Sequence, residues 1–169
     1  MKGLIIYSTL TGNTEKVARK VHSSFHNDEV ELKAISDKVN PGDYDWIISA
    51  YWVDRGTADK KTLAFWDSLS GCRVGTVGTL GAYPDSDHAK NVMERVENYL
   101  CKENIYLGSF LCQGKVDPRL TEKFKDLPAD HPHAMNEERR KRHEEAAKHP
   151  DERDWENAIS AVRTMVSAL

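Results

Sequence analysis

The sequence predicts a doubly wound α/β fold built on a five-stranded parallel sheet. Three observations carry that expectation. Short continuous apolar runs recur along the chain, amphipathic stretches of helical period separate them, and the alternation repeats five times. Continuous runs of this kind suit strands buried on both faces. Residues 3–8 (Gly-Leu-Ile-Ile-Tyr-Ser) form the first predicted strand, and Leu32, Ala34 and Ile35 belong to a weaker second. Asp45 to Ala50 is the third, Arg73 to Gly78 the fourth and Ile105 to Leu111 the fifth. Between them, Val17, Val21 and Phe25 recur every four residues, and Leu63, Trp66 and Leu69 every three. Ala89, Val92, Met93, Val96 and Leu100 stripe a third helix, and Trp155, Ala158, Ile159, Val162, Met165, Val166 and Leu169 the last. Sheets wound this way bind ligands outside the carboxyl ends of their strands. The turns after the first, third and fourth strands are therefore the places to search.

One segment breaks the alternation. Residues 113–150 hold several Pro and His and the charge run Glu137 to Glu145, too long for an ordinary strand-to-helix loop. Asn136 is placed to cap a short exposed helix running through Lys148, with opposite charges at helical spacing. The segment is expected to be an inserted excursion within one domain spanning residues 1–169.

Composition bounds the chemistry without choosing it. At 169 residues the chain buries a core without staples, and 24 Lys and Arg against 27 Asp and Glu leave a formal charge of -3. That charge disfavours a nucleic-acid-binding polycation. No apolar run reaches the ~18 residues of a membrane span, and the start of the chain lacks the pattern of a signal peptide. Cys72, Cys101 and Cys112 form no CxxC pair and suit reduced thiols, so a cytoplasmic protein is expected. His131, His133, His143 and His149 lie in the excursion without a Cys or carboxylate cluster to complete a metal set, so solvated histidines and no metal are expected. No catalytic Ser–His–Asp or Cys–His set is evident.

The turn after the first strand is the most specific feature. Ser8, Thr9, Leu10, Thr11, Gly12, Asn13 and Thr14 run directly into a helix. A helix N-terminus offers unpaired N–H groups and partial positive charge, hydroxyls add donors, and Gly12 admits close backbone approach. No Lys follows the glycine, so this is neither a nucleotide triphosphate loop nor a GxGxxG turn. A Ser/Thr-rich helix cap would account for any two of these residues; seven in succession suit a single terminal phosphate. The pattern Thr9-x-Thr11-Gly12-x-Thr14 after an N-terminal strand resembles the phosphate loop of flavodoxins. The order and length of the elements agree with that family apart from the excursion. The resemblance implies strand order 2-1-3-4-5 and non-covalent FMN, with Ser8 through Thr14 around the 5′-phosphate.

Two further turns fit the same family. A flavin needs flat apolar walls and backbone hydrogen bonds at its polar edge. After the third strand, Trp52 sits next to Tyr51 where flavodoxins commonly place an aromatic residue. Taken alone, Trp52 is equally a core tryptophan; Trp46 and Trp66 already serve the strands and helices. The resemblance also implies a peptide beside the reactive flavin nitrogen that flips when an electron and a proton arrive, and Gly56 is the residue expected there. Val53, Asp54 and Arg55 make this turn longer than the family's usual one, and Arg55 is expected to face solvent and pair with Asp54 or Asp59. After the fourth strand, Thr79, Leu80, Gly81 and Tyr83 are similar to the second flavin loop, with Tyr83 as the second stacking aromatic. Asp85 or Ser86 caps the helix that follows.

These readings imply an electron carrier in which FMN passes electrons to or from a partner redox protein or reductase. An alternative is an FMN-dependent reductase acting on a small molecule, with the excursion as a substrate wall. The loops look similar to a branch of flavodoxin-like proteins of anaerobes thought to assist bilirubin reduction, which suggests a quinone or tetrapyrrole for that role. A flavin-free interaction module is the third reading, disfavoured by the intact cradle. Neither nucleic acid nor membrane is an expected partner.

Overall fold

The computed structural model describes residues 1–26, 29–167 and 169. In chain order the elements are β1 (Gly3–Tyr7), α1 (Asn13–Ser23), β2 (Val30–Ala34), a 3₁₀ turn (Pro41–Asp43), β3 (Trp46–Asp54) and β4 (Thr57–Ala58). There follow α2 (Lys60–Trp66), β5 (Arg73–Leu80), α3 (Asp87–Leu100), β6 (Ile105–Gln113), α4 (Pro118–Lys125), α5 (Glu137–Ala146) and α6 (Glu152–Ser167). The main sheet runs β2-β1-β3-β5-β6 with every pair parallel. Counting only its five strands, that order is 2-1-3-4-5, as the sequence implied. Gly3 pairs with Trp46 and Ile48 with Gly75, so β3 lies at the centre of the sheet.

Successive side chains of a strand point to opposite faces. Leu4 and Ile6 therefore join Ile47, Tyr51 and Trp66 in one core, under α2 and α3. Ile5 and Ile48 join Val17, Val21, Val162 and Trp46 in the other, under α1 and α6. Burial on both faces explains why these strands are continuous apolar runs rather than alternating ones. Trp46 and Trp66 are both buried, and the Trp66 indole N–H donates to Ser49 Oγ at 2.9 Å. No described helix is long and apolar enough to cross a membrane.

Two features depart from the expectation. β3 runs four residues past Ala50 and turns back as the short hairpin strand β4. The excursion holds two helices, not one, and forms a flap. Asn136 caps α5 as expected, accepting from the Arg139 N–H at 2.7 Å, while Asp117 caps α4. Neither helix has a core of its own: α4 buries no residue, and α5 buries only Ala146. They hold each other through Phe124, which stacks on His133 at 5.9 Å and lies 5.7 Å below the Arg139 guanidinium. Thr121 Oγ1 and His143 Nδ1, 3.1 Å apart, add a hydrogen bond between the two helices.

His131 and His133 are exposed, as expected, but His143 and His149 are half-buried and hydrogen-bonded. His149 anchors the flap's far end, with Nδ1 2.6 Å from Asp154 Oδ2 and Nε2 3.4 Å from Glu145 Oε1. Asp151 and Asp154 cross-cap the start of α6 through each other's N–H groups, so the His149, Asp151 and Asp154 cluster is already internally hydrogen-bonded. Partial burial pulls the His149 pKa down, but the hydrogen bond and charge of Asp154, with Glu145 and Asp151, outweigh it and raise the pKa above 6.5. A raised folded-state pKa adds stability below the unfolded value that is lost as pH rises through the folded one. Once the intrinsic pH dependence of exchange is divided out, amide exchange in α5 is expected to accelerate as pH rises above 6.5 through the raised His149 pKa. His149→Gln is expected to remove that pH step, as hydrogen-exchange mass spectrometry on the two proteins would show.

Candidate functional site

Three loops meet at the carboxyl ends of β1, β3 and β5. In the first, Gly12 takes φ 96° at the N-cap of α1, a conformation that L side chains rarely adopt. No side chain caps this helix, whereas Asp59, Ser86, Asp117 and Asn136 cap α2, α3, α4 and α5. The first turn of α1 thus presents its N–H groups outward, with the partial positive charge that attracts an anion.

Not all of the loop's hydroxyls face outward with it. Buried Ser8 donates through Oγ to Asp59 Oδ1 at 2.8 Å. Buried Thr14 Oγ1 shares a hydrogen bond with Thr79 Oγ1 at 2.8 Å. Thr9 Oγ1 accepts from the Gly12 N–H at 2.9 Å and shapes the turn. Leu10, Thr11 and Asn13 are the loop residues that line the cleft. Asn13 also donates to the Lys115 carbonyl at 2.9 Å, fixing the root of the flap against this loop.

The cleft encloses about 550 Å³. Trp52 and Val53 from β3 and residues 79–83 from the end of β5 supply one side, which brings Trp52, Thr79, Leu80, Gly81 and Tyr83 to one cleft. Gly81 lies so close to the flap root that a Cβ there would stand 2.7 Å from Val116 Cγ2. Ser86 caps α3, accepting from the Ala89 N–H at 3.2 Å.

Tyr51 and Gly56 do not reach this cleft. Tyr51 is fully buried on the opposite face of β3, edge-on to Trp66 at 5.6 Å, and burial pushes its phenol pKa up. Gly56 is the second residue of the β3–β4 turn, with φ 50° at Arg55 and 80° at Gly56, as a two-residue type I′ hairpin requires. Its carbonyl accepts from Arg95 Nη1 of α3 at 3.2 Å. Nor does Arg55 pair with Asp59. That carboxylate is buried, capping α2 through the Lys61 and Thr62 N–H groups and accepting from Thr62 Oγ1 at 2.7 Å.

The opposite wall is built by the excursion, as the reductase alternative supposed, although the sequence singled out none of its residues for that role. It comes from the flap: Val116, Leu120, Phe124, Arg139, Arg142 and His143. Burial and the nearby Arg142 and Arg139 guanidinium groups lower the His143 pKa, keeping the ring mostly neutral near pH 7. Asp59 was also missed as a structural tie, although an Asp placed just before Lys60, Lys61 and Thr62 is a recognisable N-cap signal.

With this geometry in place, the sequence matches the flavodoxin domain family over residues 4–163. The chain belongs to the flavodoxin family. It is 33% identical over 176 residues to the flavodoxin-like domain-containing protein BilS of Clostridioides difficile, covering 99% of this chain and 98% of the relative. Among solved structures, oxidised flavodoxin 1 of Bacillus cereus matches with TM-score 0.61 at 17% identity over 100% of this chain and 99% of its own. A flavoprotein of Lactobacillus acidophilus solved in complex with FMN matches with TM-score 0.55 at 17% identity, over 72% of this chain and 97% of its own. The residues present fit FMN: an uncapped helix N-terminus for its phosphate opens beside a cleft bearing Trp52 and Tyr83 for its ring. FMN is the cofactor of this flavodoxin.

Asp59→Ala leaves the Ser8 hydroxyl and the α2 N-terminus without their partner, a loss worth roughly 1–3 kcal/mol. Urea denaturation is expected to show a lowered midpoint with an unchanged slope.

Proposed function

We propose that this flavodoxin is an electron-transfer flavoprotein of the cytoplasm that exchanges electrons with a partner redox protein. The observation that carries the proposal is the uncapped N-terminus of α1 at the rim of a cleft lined by Trp52 and Tyr83. Bound FMN supplies the redox chemistry, accepting and releasing electrons singly or in pairs. The chain supplies position and environment. The N–H groups at the start of α1 and the Thr11 hydroxyl would hold the phosphate, neutral donors strengthened by the helix dipole, while the Asn13 amide, donating to Thr11 Oγ1 and the Lys115 carbonyl, positions the loop. Trp52 and Tyr83 would bound the ring, and backbone groups of residues 79–82 would serve its polar edge.

His143, which lines the cleft, spends its Nδ1 on the Thr121 hydroxyl as a tie between α4 and α5, an arrangement that suits electron transfer more than group transfer. Gly56, held by Arg95, contributes to hairpin shape rather than to flavin contact. The mild charge of -3 suits a dedicated partner better than broad electrostatic steering.

The flap wall favours a second reading. A carrier needs its flavin edge open to a partner, whereas α4 and α5 cover one side of this cleft. Such a wall suits direct electron delivery to a small conjugated molecule of the quinone or tetrapyrrole kind.

The apoprotein is expected to bind FMN at least about tenfold more tightly than riboflavin, because only FMN uses the α1 N-terminus. Gly12→Val forces a β-branched residue into φ 96° and is expected to remove most of that preference while riboflavin affinity changes little. Fluorescence-quenching titrations measure both. Equal losses for the two flavins would overturn the phosphate assignment. Turnover of NAD(P)H without a partner protein would overturn the carrier reading.

A further inference from the structure

We propose that the flap forms a second subsite in the cleft, one that binds a planar, anionic small molecule beside the flavin, with Arg142 as its anion anchor. The proposal rests on FMN occupying the loop side of the cleft. The loops already meet a flavin's needs: backbone donors for the phosphate and aromatic walls for the ring. The groups on the flap side are of another kind.

Apolar surface is the first. Leu120, 43% exposed, lines the cleft from α4, facing a space also bounded by Leu10, 54% exposed, and Tyr83, 39% exposed. On the flap side Leu120 is joined by Val116 and Phe124, an apolar wall that a flat ligand would cover.

An uncommitted cation is the second. Two other cations of α5 are matched along the helix: Lys141 with Glu137 at 3.1 Å and Arg140 with Glu144 at 3.9 Å. Arg139 is spent on the Pro132 and Ala134 carbonyls and on the Phe124 ring. Arg142 makes no hydrogen bond and no ion pair among the described residues, not even with Glu138 one turn earlier, which also lines the cleft. The nearby Asp117 carboxylate is tied to Arg119 at 2.7 Å and leaves Arg142 unanswered. Half-buried beside apolar surface, a guanidinium gains most from a carboxylate or sulfonate, which it can grip with two N–H groups. Leu120 and Arg142 together select a ligand with one flat apolar body and one anionic group.

The test uses FMN-loaded protein and two probes, anthraquinone-2-sulfonate and neutral 2-(hydroxymethyl)anthraquinone, with binding followed by equilibrium dialysis in the dark and by the change in the bound-flavin absorbance. The sulfonate is expected to bind at least about tenfold more tightly than the neutral probe. Arg142→Glu is expected to abolish that preference while leaving FMN affinity unchanged, and Arg142→Lys to retain part of it. Leu120→Asp is expected to weaken both probes. Equal affinity for the two probes, or a preference that survives Arg142→Glu, overturns the subsite. If Arg142→Glu weakens FMN but not riboflavin, the guanidinium serves the flavin phosphate and the proposal falls. A wild-type protein that takes up no FMN overturns the flavin assignment itself, which the separate FMN titration distinguishes from failure of the subsite alone.

Discussion

One buried carboxylate joins the loops on which the site depends. Asp59 accepts the Ser8 hydroxyl from the loop after β1, caps α2 with the same side chain, and donates its own N–H to the Trp52 carbonyl at the end of β3. The Thr14–Thr79 hydrogen bond does the corresponding work between α1 and β5. Both contacts are buried, where a hydrogen bond is electrostatically stronger and the loss of one partner costs most. A helix N-terminus that offers only backbone N–H groups has no side-chain charge to correct its aim. Its precision comes instead from these ties to strands that are paired on both sides.

Order decreases outward from that centre. Around β3 both faces of the sheet are covered, while the flap adds two helices without a core. Segments with little buried apolar surface open at low free-energy cost. The flap therefore joins a soft wall to a rigid one across the same cleft. That combination suits a site in which one occupant stays and another comes and goes.

Much of this was legible in the residues because burial and period speak directly. Leu4, Ile5 and Ile6 in succession announced a strand covered on both faces, and Ser8 to Thr14 announced a helix start rich in donors. The strand period could also have excluded Tyr51: adjacent residues of a strand face opposite ways, so a cleft-facing Trp52 sends Tyr51 into the core. The hairpin at Arg55 and Gly56 was harder to see, since Arg-Gly lacks the strong turn signal of Asn-Gly or Asp-Gly. The flap was legible only as a candidate wall, without the residues that build it. The 10-residue helix α5 has no apolar stripe to show which way it faces, and its position rests on Phe124, on His149 and on the root beside Asn13.

That root has a topological consequence. The chain leaves the sheet at Gly114 and returns at His149, where the Lys115 N–H donates to the His149 carbonyl at 3.0 Å. The two ends of a long insertion thus stand side by side, and closing the gap with a few residues would span almost no distance. Length added to or removed from such a loop changes its closure entropy only slowly. The sheet and the cofactor loops form one cassette and the flap another, joined at a single seam. Lineages sharing this cofactor chemistry could exchange the outer cassette without redesigning the inner one.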